Sequence, residues 1–328
     1  MRVLGADVGG TGTRLALFEV SGEEIRTLET GDFSSRDYPD LYAIVEKFLG
    51  SRKALCERAC FGIAGPVKEG RSKVTNLPWV IEAGRLARQL AIDKVFLIND
   101  LEAGAWGLAS LGSNDLLVLA AGEPDARGNQ AILSAGTGLG EAGLYWDGNR
   151  HRPFATEGGH ADFAPRAAVD FELFRFLHKR YGTVSWERIL SGPGLVNLYR
   201  FLLEHRKAAE PGWLTLEIRD TDPAAAISEA GMAGRCPVCS EALDLFVGFY
   251  GAEAGNLALK MMATGGVYLG GGIAPKIVER LRGPAFLNAF RDKGPMESLL
   301  RGMPVRVILN DRTALLGTAR YAALEQWR

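Results

Sequence analysis

The sequence predicts an α/β protein of two domains whose core is built twice. Three observations carry this. Two glycine-threonine loops each sit in a hairpin: Gly5-Ala6-Asp7-Val8-Gly9-Gly10-Thr11-Gly12-Thr13-Arg14, and Ser134-Ala135-Gly136-Thr137-Gly138-Leu139-Gly140. The order hairpin, strand, helix, strand, helix then occurs twice, with ~130 residues between the hairpins, far beyond solenoid repeat periods. Finally, 328 residues can bury a sizeable core and suit two domains.

Each element follows from its local pattern. Residues 3–8, 14–20 and 25–33 read as a meander of strands, and Ile44, Val45, Phe48 and Leu49 give 42–49 a helical face. Residues 59–64 form a short strand ending at Gly65-Pro66, and 86–90 a helix. Residues 95–98 are wholly apolar, as in a buried strand, and run into Asn99-Asp100 and a helix over 102–111. After the second hairpin (131–134 and 142–146) comes a mainly helical insert over 167–265, with helices at 171–180, 186–190, 195–205 and 240–262. Residues 267–273 are a strand running into Gly270-Gly271-Gly272 and on into a helix; 305–309 are a last strand. A helix over 312–326 packs back on the first domain. The expected boundaries are 1–109 plus 312–328 for a small domain and 110–311 for a large one. No linker rich in Pro, Gly or Ser separates them, so they are expected to meet across a cleft.

Composition narrows the function. A net charge of −1 disfavours nucleic acid as the main partner. No apolar stretch is long enough to span a bilayer. The opening Met1-Arg2-Val3-Leu4-Gly5-Ala6-Asp7 puts an acid where a signal peptide needs an apolar core, so the expected compartment is the cytoplasm. Cys56, Cys60, Cys236 and Cys239 are then expected to be thiols. Cys236-Pro237-Val238-Cys239 has zinc-like spacing but no second pair to complete four ligands, and reads better as the start of a helix.

The glycine loops suit a phosphate chain, because glycine lets an anion approach backbone amides and the threonine hydroxyl adds a donor. There is no G-x-x-x-x-G-K-[ST] loop and no G-x-S-x-G elbow. Gly138-Leu139-Gly140-Glu141-Ala142-Gly143 matches G-x-G-x-x-G, but a strand follows where a dinucleotide site needs a helix. Asp7 ends the first strand beside its glycines; Mg²⁺ on the phosphates would reconcile that acid with an anion, against a mere turn-stabilising role. Asp100 sits at the C-terminal end of a strand, where α/β proteins bind ligands, but an acid there can also simply cap a helix. Thr156-Glu157-Gly158-Gly159-His160-Ala161-Asp162-Phe163 gathers a histidine and two carboxylates in one loop, a set suited to several hydroxyls. Ser185-Trp186-Glu187 alone reads as a helix start, with Ser185 as cap. Gly270-Gly271-Gly272 reads either as a plain turn or as a flat platform for a purine.

Taken together these segments resemble the bacterial glucokinases, within the superfamily of hexokinases, actin and heat-shock ATPases. The resemblance runs over essentially the whole chain: residues 7–13, 62–67, 75–79, 97–101, 136–140, 157–165, 191–195 and 270–275. Glu157-Gly158-Gly159-His160-Ala161-Asp162-Phe163-Ala164-Pro165 is its most specific part. It implies an actin-like ATPase (ribonuclease H-like) fold, with ligands in a cleft between domains, and a homodimer. The implied activity is ATP- and Mg²⁺-dependent phosphorylation of D-glucose at its 6-hydroxyl, the step that opens glycolysis. By position, Asp100 resembles the catalytic base. Asn99, Asp100, Glu157, His160 and Glu187 match sugar-binding positions. Asp7, Gly9, Gly10, Thr11, Gly12, Thr13, Gly136, Thr137 and Gly138 match the phosphate loops, with Asp7 toward Mg²⁺ through water, and Gly270, Gly271 and Gly272 match the adenosine turn. Polyphosphate or another nucleoside triphosphate would use similar loops.

Two departures stand out. Glu141 follows the second hairpin where the family has a small or apolar residue; facing phosphates it would repel them, and strand alternation would turn it away. Asp162-Phe163-Ala164-Pro165 stands where related sugar-responsive repressors carry a cysteine-rich zinc segment. The rivals are a kinase for another hexose or an N-acyl amino sugar, a sugar-responsive regulator, which would need an added helix-turn-helix, and an actin-like ATPase, which would need no compact sugar loop.

Overall fold

In a computed structural model, which describes residues 1–50 and 56–324, the first sheet grows outward from β1 (Arg2–Val8). The glycine turn folds β2 (Gly12–Ser21) antiparallel onto β1, and β3 (Glu24–Ser34) continues the meander. After α1 (Leu41–Leu49), β4 (Arg58–Ile63) lies parallel to β1 on its other side. A small sheet of β5 (Val67–Lys68), β6 (Arg71–Lys73) and β7 (Val80–Glu82) follows, then α2 (Ala83–Leu90) and β8 (Lys94–Asn99), parallel to β4. The order is β3-β2-β1-β4-β8.

Side chains alternate across the sheet, and both faces are covered. Leu4, Ala6, Val8 and Phe61 pack with Leu41, Ile44, Leu86 and Leu90 of α1 and α2. On the opposite face Val3, Ala16, Phe18, Cys60 and Ile98 pack with Ala103 of α3 (Asp100–Gly107) and with Leu315 and Ala319 of the helix Thr313–Leu324. These two helices cross at glycines. A Cβ on Gly107 would overlap the Thr313 carbonyl oxygen, and one on Gly317 the Ala103 carbonyl oxygen.

The second sheet repeats the plan. Its strands are β9 (Leu116–Ala120), β10 (Gln130–Ala135), β11 (Leu139–Trp146), β12 (His151–Thr156), β13 (Gly266–Gly270) and β14 (Val305–Ile308). The order is β12-β11-β10-β13-β14-β9. As in the first sheet, a hairpin pair is antiparallel and the next two neighbours, β13 and β14, run parallel. β9 adds an antiparallel edge to β14, which the sequence pattern does not predict. Between β12 and β13 lie α4 (Ala168–Tyr181), α5 (Gly192–Arg206), α6 (Gly212–Asp220), α7 (Pro223–Met232) and α8 (Pro237–Met261). α9 (Val278–Leu281), α10 (Pro284–Arg291) and α11 (Glu297–Gly302) precede β14, and α12 is the helix Thr313–Leu324 already described. Their shared core includes Leu133, Trp186, Leu198, Phe246, Tyr250 and Phe286.

By compactness the chain falls into two units: Met1–Ser113, Arg152–Ala155 and the residues from Asn310 in one, Asn114–His151 and Thr156–Leu309 in the other. The helix expected over 186–190 is only a 3₁₀ turn, Trp186–Arg188. The helix expected from 102 starts at Asp100 and tightens to a 3₁₀ turn at Leu108–Ser110. The long helix starts at Pro237, whose fixed φ suits a first helical turn. α6 and α7 lie in a stretch the sequence pattern leaves unassigned. The end of the helix expected over 312–326 lies outside the described residues.

Candidate active site

In the first unit the candidate residues gather at the C-terminal ends of β1, β4 and β8, where Val8 pairs with Ile63 and Ile63 with Asn99. The Gly9 N–H closes the glycine turn onto the Gly12 carbonyl oxygen (2.9 Å). Gly10 lies against the next loop, since a Cβ there would come within 2.6 Å of the Thr75 carbonyl oxygen. Thr11 is exposed. Thr13, expected among the phosphate-loop residues, keeps its hydroxyl inside the fold. It is fully buried, with its Oγ1 bonded to Ser35 Oγ (2.9 Å), because strand alternation turns it inward. The Ser35 hydroxyl in turn donates to the Gly9 carbonyl oxygen (2.8 Å). Ser35 therefore holds the turn from below; no sequence motif singles it out.

Asn99 and Asp100 divide the work at the start of α3. Asn99 is the cap: its Oδ1 accepts from Leu101 N (2.9 Å) and Glu102 N (3.3 Å). Its Nδ2 donates to the Gly65 carbonyl oxygen (3.2 Å), which leaves one N–H for a ligand. Asp100 is the first helical residue, with Oδ1 accepting from Leu101 N (2.9 Å). The competing account, Asp100 as a mere cap, thus fails on position: the capping role belongs to its neighbour.

Asp7 stands opposite Arg14 in the β1–β2 register. Burial pushes its carboxyl above the usual range, and the Arg14 guanidinium pulls the other way. A further cation beside it would favour the ionised form. Among the described residues no group of three or more His, Cys, Asp or Glu gathers as a metal cage. A lone carboxylate beside a glycine turn would suit Mg²⁺ carried on phosphates, since that ion is held through few carboxylates, phosphate oxygens and water.

In the second unit the hairpin, the polar loop, the Glu187 turn and the glycine run meet at the ends of β10 and β13. The Gly136 N–H closes its turn onto Gly138 (2.9 Å), and the Gly192 N–H donates to the Gly136 carbonyl oxygen (2.8 Å). Ser191 fixes that approach: its hydroxyl donates to the Glu187 carbonyl oxygen (2.7 Å) and accepts from Gly194 N (3.0 Å). Thr137 is exposed. Gly271 has φ +81, and a Cβ on it would overlap the Ala135 carbonyl oxygen, so Gly271 lies tight against the hairpin strand, while a Cβ on Gly272 would meet open space. The buried Tyr250 hydroxyl bridges the strand ends, 3.2 Å from the Leu133 and 3.4 Å from the Gly270 carbonyl oxygen.

Glu187 ties the hairpin to the polar loop. Its Oε2 accepts from Leu139 N (3.0 Å), and its Oε1 lies 3.9 Å from His160 Nδ1. A Cβ on Gly138 would sit 2.6 Å from Glu187 Oε2 and push that carboxylate from its place. Ser185 makes no side-chain capping bond, so the plain helix-start account does not hold. Glu157 and His160 are exposed, while the glycines between them are pressed onto β11: a Cβ on Gly158 would overlap the Glu141 carboxyl, and one on Gly159 the Leu139 carbonyl oxygen. The Thr156 hydroxyl donates to the Glu141 carbonyl oxygen (2.9 Å) and accepts from Gly158 N (3.2 Å). Glu141 itself points inward and is 1% exposed, which settles the first departure in favour of strand alternation. Cys236 and Cys239 are buried free thiols at the start of α8, and burial pushes Cys239 up, away from reactivity.

The sequence profile of the glucokinase family matches residues 4–325. A glucokinase of Nostoc sp. is 42% identical over 98% of both chains. A glucokinase of Mesorhizobium japonicum is 38% identical over 98% of this chain and 91% of its own. Among solved structures, a glucokinase from an Antarctic psychrotroph superposes with a TM-score of 0.86 at 32% identity, covering 98% of each chain. A glucokinase of Streptomyces griseus, solved with glucose and AMPPNP, shares the fold at a TM-score of 0.65 and 21% identity. With an α/β two-domain fold, both glycine hairpins and the Glu-Gly-Gly-His loop in place, the chain belongs to the glucokinase family.

Proposed function

We propose that this chain transfers the terminal phosphoryl group of ATP to the 6-hydroxyl of D-glucose. The observation that carries the reading is the Glu157–His160 loop: its two glycines seat it on the second phosphate hairpin, and Glu187 accepts from that hairpin at Leu139 N while its other oxygen lies 3.9 Å from His160 Nδ1. Family membership over nearly the whole chain supports the same activity.

Phosphoryl transfer leaves little covalent work for protein, so positioning and charge stabilisation dominate. Asp100 accepts the proton of the 6-hydroxyl, and the one N–H left on Asn99 binds a hydroxyl beside it. Glu157, His160 and Glu187 fix the remaining hydroxyls. Glu187 does so with a carboxylate already oriented by Leu139 N, so little side-chain entropy remains to be lost. Thr11, Thr137 and the backbone of residues 9–12 and 136–138 take the phosphates, with Thr13 supporting the first loop from inside. Gly270–Gly272 offers the nucleoside a surface without side chains. Asp7 would hold Mg²⁺ through water, and the ion, when bound, supplies positive charge to the phosphates. Homodimeric assembly, a cytoplasmic location and a place in glycolysis complete the reading and rest on the resemblance. Among the described residues no helix is long and apolar enough to cross a membrane.

The direct test is ADP formation with and without glucose, extended to a panel of sugars. ADP release that needs glucose is the expected result; equal release without it would mean an ATPase. For Glu157→Ala and His160→Ala, each removing a bond to a sugar hydroxyl, glucose affinity falls ~10-fold or more, the size of a lost charge-assisted hydrogen bond. Calorimetric titration with glucose checks this, and unchanged affinity would remove either residue from the sugar site.

A further inference from the structure

Beneath the sugar loop lies a pair of carboxyl groups that the reaction does not use. Glu141 of β11 and Glu253 of α8 are 1% and 0% exposed, and their side chains are within hydrogen-bonding reach of each other. Glu141 Oε1 and Glu253 Oε1 have no conventional donor as hydrogen-bond partner, a costly state for buried oxygens unless a proton lies between the groups. The positive charges nearby lie on Glu253's side. Lys260 Nζ is 3.7 Å from Glu253 Oε1, and Asn256 Nδ2 donates to Glu253 Oε2 (2.7 Å). Lys293 donates to Asn256 Oδ1 (2.6 Å) and to the Ala252 carbonyl oxygen (3.0 Å). Burial and Arg166 lower the Lys293 pKa, and Glu253 and Asp292 oppose them. Glu253 is therefore the favoured anion and Glu141 the favoured acid. Burial and the neighbouring Glu253 push Glu141 up to about 8, with Lys260 opposing.

The other side of Glu141 touches the sugar loop. Its carboxyl fills the space a Gly158 side chain would occupy, and its carbonyl oxygen holds the Thr156 hydroxyl that in turn receives Gly158 N. We propose that Glu141 is a positioning residue for the Glu157–His160 loop: as a neutral acid donating its proton to Glu253, it gives the loop its seat, and loss of that proton unseats the loop and weakens sugar binding. This rests on the glucose reading above. In the ionised pair two buried like charges repel each other directly under Gly158.

The test is glucose affinity against pH without ATP, beside thermal unfolding against pH without sugar. Binding that needs the protonated pair weakens ~10-fold between pH 7 and 9, because only the competent fraction binds. E141Q donates permanently to Glu253, so its affinity ratio between those pH values stays within ~2-fold. In E253Q an ionised Glu141 meets no second charge, and the side-chain amide can donate to it, so the alkaline limb is lost there as well. Unfolding gives an arm independent of glucose. The folded chain keeps a proton that the unfolded glutamate releases near its ordinary pKa, so this stabilisation is full below that value. It is lost as pH rises to about 8, and E141Q flattens that slope. A wild-type alkaline limb that persists in E141Q and stays put in E253Q, or an unfolding slope unchanged in both, overturns the proposal. A chain that binds no glucose yet shows the E141Q-sensitive unfolding slope refutes the sugar reading and, with it, the positioning role, while leaving the shared proton in place.

Discussion

Asp100→Ala lowers kcat by ~10² or more and leaves glucose binding largely intact, the pattern of a lost general base. The structure makes this a clean experiment. Capping of α3 belongs to Asn99, whose Oδ1 serves both Leu101 N and Glu102 N. Removing the Asp100 carboxyl therefore leaves the helix start in place, where the loss of a true cap would cost about 1 kcal/mol. Asn99→Ala is the contrasting variant: it loses the cap and the bond to Gly65, so stability falls along with activity. Steady-state kinetics with calorimetric glucose binding separates the two. Near-normal turnover in Asp100→Ala would remove that residue from the mechanism.

Gly317→Ala destabilises the protein by about 2 kcal/mol or more, against the direction that helix propensity predicts. Alanine in an open helix gains about 1 kcal/mol over glycine. At Gly317 the new methyl overlaps the Ala103 carbonyl oxygen and crowds Gly107 N at 2.6 Å, both backbone atoms that no rotamer can move aside. Overpacking of this kind costs about 1–3 kcal/mol, occasionally more. Gly248→Ala in α8 is the control, because a Cβ there meets nothing within 4 Å. It is expected to be neutral or to stabilise by up to about 1 kcal/mol. Opposite shifts in urea midpoint confirm the crossing; equal shifts would mean that α3 and α12 separate at little cost.

What the sequence discloses follows from how local each signal is. The hairpins are written in adjacent residues, so both glycine turns and their strands are legible, as is the buried run of β8. The Glu-Gly-Gly-His loop is equally compact. Legibility ends where a role depends on a distant partner. Thr13 looks like Thr11 in the sequence, but Thr13 lies within β2 and turns inward to Ser35, whereas Thr11 lies in the turn before that strand and is exposed. Glu187 follows a serine like any first-turn acid, and only the fold brings Leu139 N to its carboxylate. Glu141 and Glu253 are separated by most of the helical insert, and nothing local announces that their carboxyls meet. β9 escapes for another reason: it is a half-covered edge strand whose pairing with β14 is purely tertiary.

The glycine seat between α3 and α12 also bears on how the chain is made. The ribosome delivers Thr313–Leu324 only after the entire second unit, so the face of the first sheet bearing Val3, Ala16, Phe18, Cys60 and Ile98 lacks its α12 cover throughout that interval. A nascent polypeptide stalled before Thr313 presents this apolar patch to chaperones and carries Asp100 on a helix that has not yet docked. The final placing of Asp100 thus waits for the last helix of the fold rather than for the segment that carries it.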